Sequence, residues 1–204
     1  MPVVSYSILA LTLAVFVLQL ISQGAVTNAL AYYPPLTPQE PWRMLTVSLV
    51  HSERSFFHIL FNMYSLFVLG PLLESLIGRV RFGAIYVLST LGGSVAVLWL
   101  APLSAVVGAS GAIFGLLGAF FVIQRRFGGT SIQLVVIIAI NLGLGFIVPG
   151  VSWQAHIGGL LIGAACAAVM VRTRRADQQR RQAIGIAAVG GVLVLATIGR
   201  FMLG

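Results

Sequence analysis

An all-α bundle of membrane-spanning helices is the fold class this sequence predicts, and three observations carry it. Of 204 residues, 59% are hydrophobic and only 8% are charged. That is too little polar material to cover a water-soluble domain of this size. Apolar runs of about 20 residues, the length that crosses a bilayer core, recur along the chain. The basic residues, all arginine, gather mostly in short loops between those runs, as topological signals do. The net charge of +8 therefore points to lipid headgroups and topology. No folded soluble region carries it, so nucleic acid is not an expected partner.

The first span, 3–22, lies in MPVVSYSILALTLAVFVLQLIS. It lacks a basic n-region and an A-x-A-like cleavage site, so a retained transmembrane helix is expected and not a signal peptide. The connection 23–55 contains YYPPLTPQEPWR, whose prolines forbid a continuous helix. Its Tyr32, Tyr33 and Trp42 suit a membrane interface. Further spans are expected at 56–76, 82–101, 110–124, 131–148, 153–171 and 183–203. Arg79 and Arg81 follow the second span, Arg125 and Arg126 the fourth, and Arg172, Arg174, Arg175, Arg180 and Arg181 the sixth. Seven alternating spans put these clusters on one face, which the positive-inside rule makes cytoplasmic. The N-terminus is then cytoplasmic and the C-terminus outside. With no lysine and compact loops, a prokaryotic plasma membrane is the expected location. Cys166, the only cysteine, lies inside an apolar span and reads as a packing residue.

Span four is short. Ser110 to Gln124 makes about 22 Å of helix against a hydrocarbon core of about 30 Å. Arg125 and Arg126 pin its cytoplasmic end, so its outer end stops inside the membrane. The preceding APLSAVVG must then enter as irregular backbone, which is tolerated only where protein buries it or water lines it. A water-accessible pocket with Ser110 at its floor is expected. By the same ruler His156 lies about 24 Å above its arginines and Asn62 about 25 Å, with His58 one turn higher.

Three helices thus present Ser, His and Asn/His at one depth. A serine hydroxyl becomes a nucleophile when a neighbouring base takes its proton, and neutral histidine is the usual base near pH 7. A backbone N–H at a helix start, the Asn62 amide and the His58 ring could donate to a developing oxyanion. The four acids, Glu40, Glu53, Glu74 and Asp177, all lie away from the depth of His156. A catalytic site here would be a Ser–His dyad, with the imidazole oriented by packing; Phe114, one turn after Ser110, is placed to stack on it. Packing alone is the competing reading. Gly108, Gly111, Gly115 and Gly118, with Gly159 and Gly163, form small-xxx-small patterns that let helices approach, and Asn62 could be a plain interhelical hydrogen bond. No carboxylate completes a zinc set with the histidines, so no metal is expected, and nothing implies a cofactor.

HILFN (58–62), GASGAIFG (108–115) and AHIGGLLIG (155–163) resemble, in order, the H-x-x-x-N, G-x-S-G and A-H-x-x-G-x-x-x-G motifs of the rhomboid intramembrane serine proteases. Trp42-Arg43 and Glu74 are similar to further family positions, and the resemblance covers about residues 5 to 172. It implies a six-helix catalytic core over 1–172, an Arg-rich linker over 173–182 and an added seventh helix over 183–204. It implies Ser110 as nucleophile and His156 as general base. Asn62, His58 and the Ser110 N–H would form the oxyanion hole, and Gly108 would shape the loop beside it. Substrates would be single-span membrane proteins, reached past the fifth span and the VPGVSW segment. His51 lies seven residues before His58 and is not equated with a family position. A catalytically silent protein of the same fold that binds or chaperones transmembrane helices stays open as the alternative. A transporter or channel is a weaker reading still, since it would want charged or discontinuous-helix sites near the midplane, often in two repeated halves.

Overall fold

The computed structural model describes residues 1–129, 132–148 and 150–203. Ser131 at the start of the expected fifth span, Pro149 of VPGVSW and Gly204 at the end of the expected seventh lie outside the described residues. The protein is all-α, with no strand among the described residues. The long helices are α1 (Val3–Ile21), α4 (Phe56–Ile77), α5 (Arg79–Leu100), α6 (Ser110–Arg126), α7 (Ile132–Ile147), α8 (Trp153–Arg172) and α9 (Gln179–Met202). Between α1 and α4 the Pro-rich connection folds into short α2 (Ala25–Leu30), a 3-10 turn at Pro34–Leu36 and α3 (Arg43–Thr46).

Among the described residues five helical segments are long and apolar enough to cross a bilayer, in α1, α4, α5, α8 and α9. At 17 and 16 residues, α6 and α7 fall short of the others. Large apolar side chains are exposed along the long helices, Leu20, Phe61, Trp99, Leu161 and Leu195 among them. Only lipid makes that favourable, and the protein is an integral multi-pass membrane protein.

The core is built on backbone proximity. α6 packs most extensively against α8, and α8 next against α5. A methyl added at Gly159 would meet the Gly111 carbonyl, and one at Gly163 the Gly115 carbonyl. On the α5 side, Gly93 faces the Ala155 carbonyl and Gly158 the Gly92 carbonyl. With no side chains between them, the helices come close enough for dispersion to hold them where lipid offers no hydrophobic drive. Leu66, Leu73, Phe82, Ile85, Leu116 and the free Cys166 fill the space around that seam.

Glu74 joins α1 to α4. Its carboxylate accepts from the Val4 N–H at 3.0 Å, the Ser5 N–H at 2.7 Å and the Ser5 hydroxyl at 2.8 Å. Pro2 offers no side-chain cap to α1, so a carboxylate 70 residues away satisfies first-turn donors at the positive end of the helix dipole. Glu74→Leu is expected to lower stability by about 1–3 kcal/mol, read as a drop in thermal midpoint in detergent.

Helix α9 begins at Gln179, inside the stretch whose arginines read as solvated linker. Gln182 is buried and explains this. It accepts from Arg81 Nε at 2.6 Å and donates to the carbonyls of Met170 at 3.3 Å and Thr173 at 3.1 Å. A polar side chain that ties three elements together orders the chain before its apolar run begins.

Candidate active site

The segment ahead of Ser110 enters the bundle as irregular backbone whose polar groups are matched. Tyr32 and Val106 exchange two main-chain hydrogen bonds at 3.0 and 2.8 Å, and the Gly108 N–H donates to the Val47 carbonyl at 2.9 Å. Apart from side-chain caps and water, these are the ways such groups can be buried. The chain then turns into α6 at Ser110. As the first residue of that helix, Ser110 has a main-chain N–H with no intrahelical acceptor.

His156 sits in the first turns of α8, whose start is set by Ser152. The Ser152 hydroxyl accepts from the Ala155 N–H at 3.3 Å, an ordinary N-cap. Across the α6–α8 seam His156 Nε2 lies 2.9 Å from Ser110 Oγ. Phe114 lies flat on the imidazole, centroids 4.1 Å apart and planes 10° from parallel. His156 Nδ1 has no hydrogen-bond partner among the described residues. A proton carried there leaves the Nε2 lone pair free for the serine hydroxyl. The three glutamates are occupied elsewhere: Glu40 pairs with Arg43, Glu53 with Thr27, and Glu74 with α1. Asp177 lies in the 3-10 turn Ala176–Gln178 after α8.

His58 lies on the other side of the serine. Its Nδ1 accepts from the Ser52 N–H at 3.2 Å, so the neutral ring carries its proton on Nε2. A Cβ at Gly108 would stand 2.8 Å from that Nε2 and 3.8 Å from Ser110 Oγ, so Gly108 lies between them. Its φ of +122° is itself a conformation that side chains resist. Gly108→Ala is expected to cost about 1–3 kcal/mol in backbone strain and to push His58 away. A lowered thermal midpoint together with slower reaction of Ser110 with an acylating or phosphonylating probe would register both.

Asn62 is buried, but its amide is partly engaged. Nδ2 donates to the His58 carbonyl at 2.7 Å within the same helix, and Oδ1 has no partner among the described residues. One of its two N–H donors stays free. All six candidate residues line one cavity of ≈ 680 Å³ that also touches α7. Asn141 lines it too, its amide donating to the Ile137 carbonyl at 2.8 Å. Among the described residues no group of three metal-ligating side chains occurs.

Two residues beside the site had no role in the sequence reading, which named His51 without equating it with a family position and passed over Gln19. His51 is fully buried, its ring 5.2 Å from that of His58. Burial, with His58 adding, pushes its pKa down to about 3, so the ring is neutral and Nε2 can accept the Ala109 N–H at 3.4 Å. Gln19 of α1 holds the His51 backbone at both ends, accepting from its N–H and donating to its carbonyl, each at 2.9 Å. A glutamine inside an apolar span is the one signal that marked this contact in advance.

Comparison with known proteins follows the same motifs. The Rhomboid domain family matches residues 38–173. Rhomboid protease GluP of Bacillus subtilis is 35% identical over 185 residues, covering 83% of this chain and 35% of GluP. RHOMBOID-like protein 4 of Arabidopsis thaliana is 39% identical over 131 residues, covering 61% and 32%. RHOMBOID-like protein 2 of the same plant is 39% identical over 143 residues, covering 67% and 44%. The chain thus spans between about a third and under half the length of these relatives. The domain match includes the loop entering at Ser110, the α6–α8 seam and all of α4, and by it the chain belongs to the rhomboid family, a family of intramembrane proteases.

Proposed function

We propose that the protein is an intramembrane serine endopeptidase that cleaves peptide bonds in or near the transmembrane segment of single-span membrane proteins. The 2.9 Å approach of Ser110 Oγ to a histidine nitrogen carries this reading. An ionisable side chain inside an apolar bundle is costly to place and is usually functional, and this one lies at hydrogen-bond distance from a hydroxyl. In this reading His156 Nε2 takes the Ser110 proton as Oγ attacks the scissile carbonyl. The Ser110 N–H, the free Asn62 N–H and His58 Nε2–H receive the oxyanion. Protonated His156 gives its proton to the leaving amine, and a water molecule then repeats the sequence to release the acyl group. The missing acid is replaced by the face of Phe114, which orients the imidazole without charge.

The domain reading is a catalytic core over 1–172, an Arg-rich linker over 173–182 and an additional helix over 183–204. The site would open to the outer side of a prokaryotic plasma membrane, with the N-terminus in the cytoplasm. Helix α7 is the natural side for a substrate to approach, because only Leu134 and Gly145 of it are buried. A silent helix-binding protein would share the fold but would not need an activated hydroxyl.

The test is reaction of detergent-purified protein with a fluorophosphonate probe, beside Ser110→Ala and His156→Ala. Labelling of the parent, lost in both variants, is the expected result. No labelling of a folded parent, with an active rhomboid labelled in parallel, would give the helix-binding reading the lead.

A further inference from the structure

A second cavity, ≈ 740 Å³, lies at the opposite end of α6 from Ser110. That end is about 24 Å away along the helix. Five of its nine lining residues are Arg125, Arg126, Arg172, Arg174 and Arg175. Among the described residues none of them pairs with a carboxylate, the one ion pair being Arg43 with Glu40. The lone acid nearby in sequence, Asp177, makes no such bridge. Topology accounts for positive charge on this face, but it does not require five guanidinium groups around one concavity. Their mutual repulsion is relieved when an anion enters, and guanidinium is the group best suited to grip phosphate oxygens in pairs.

The remaining wall says which anion. Val122, Ala168 and Val171 line the same cavity. Val122 and Ala168 each stand four residues before an arginine, Arg126 and Arg172, and so one turn deeper on the same helix face, while Val171 lies in the last turn of α8. A ligand seated there meets cations at its head and apolar surface below. Soluble phosphates lack the second feature, and zwitterionic headgroups bring an ammonium that five arginines repel. We propose that this cavity binds the headgroup of an anionic phospholipid, with phosphate among the arginines and the upper acyl chain against Val122, Ala168 and Val171. The site is independent of the peptidase reading, because it uses no residue of the Ser110 cavity. Volumes of this order are usual for specific ligand sites.

The experiment titrates the detergent-solubilised full chain with phosphatidylglycerol, phosphatidylcholine or inorganic phosphate and counts retained adducts by native mass spectrometry. Phosphatidylglycerol should bind at least about tenfold more tightly than phosphatidylcholine. The Arg126→Gln/Arg174→Gln pair should lose about tenfold or more. Arg180→Gln/Arg181→Gln removes the same charge from the same region but outside the cavity, and should stay within about twofold of the parent. Val171→Trp fills the cavity without touching a charge and should also abolish preferential binding, which decides the matter if the arginine pair folds poorly. Equal losses in the two arginine pairs would mean diffuse attraction and overturn the proposal. So would equal binding of phosphatidylcholine, full binding by Val171→Trp, or displacement of the lipid by equimolar inorganic phosphate.

Discussion

Ser110→Ala and His156→Ala should each slow cleavage of a transmembrane substrate by about a thousandfold or more, and the double variant should be no slower than either alone. The reason is geometric. The hydroxyl and the imidazole are 2.9 Å apart and share one proton, so removing either ends the same event. His156 Nδ1 has no partner among the described residues, so on the proposed mechanism no third group remains to sustain partial activity after one of the two is gone. The measurement is initial-rate proteolysis by purified protein, single variants against double. Additive losses would show that the two side chains act in separate steps and would remove the dyad mechanism. The thermal midpoint of Ser110→Ala should move little, because Ser110 is only half-buried; His156→Ala leaves a cavity against Phe114 and should lower it.

Gly159→Ala and Gly163→Ala should do the opposite, harming the fold before the chemistry. Each new methyl would meet a main-chain carbonyl of α6, at Gly111 and Gly115 respectively. Ordinary overpacking costs about 1–3 kcal/mol because side chains can adjust. Here the obstacle is backbone on both sides, so only separation of α6 from α8 relieves it, and a loss of about 3 kcal/mol or more is expected. Gly143 and Gly191 meet nothing within 4 Å. Alanine there should leave stability unchanged or raise it by up to about 1 kcal/mol, since both are helical. Unfolding of purified variants by heat or by a denaturing detergent compares the four. Equal behaviour of all four would show that the seam is softer than its geometry implies.

The sequence made some of this legible and hid the rest for identifiable reasons. Apolar length marked the spans, because the bilayer imposes one length on every crossing helix. The depth ruler placed Ser110, His156 and Asn62 at one level, since helical rise is constant and arginines mark a common plane. Span ends were less visible: α5 starts at Arg79 and α9 at Gln179, both in charged sequence that tertiary hydrogen bonds made helical. The capture of the Asn62 amide by the His58 carbonyl follows from rotamer choice, which no spacing reports. The Gln19–His51–Ala109 chain joins residues far apart in sequence through backbone groups, and backbone groups leave no compositional trace. His51 in particular lies before α4 begins at Phe56, so the turn between them and not a helical offset brings its ring to His58.

The glycine seam has a mechanical consequence. Bilayers of different thickness tilt and bend the helices embedded in them. In this protein the serine and the histidine ride on two rods bolted backbone to backbone, so a change in thickness should rock α6 and α8 as one stiff chassis. Ser110 Oγ and His156 Nε2, the reacting atoms of the proposed function, should keep their spacing while the thinly attached α7 takes up the deformation. Lipid composition is then expected to govern how readily a substrate arrives, leaving the bond-breaking step itself nearly indifferent to the membrane around it.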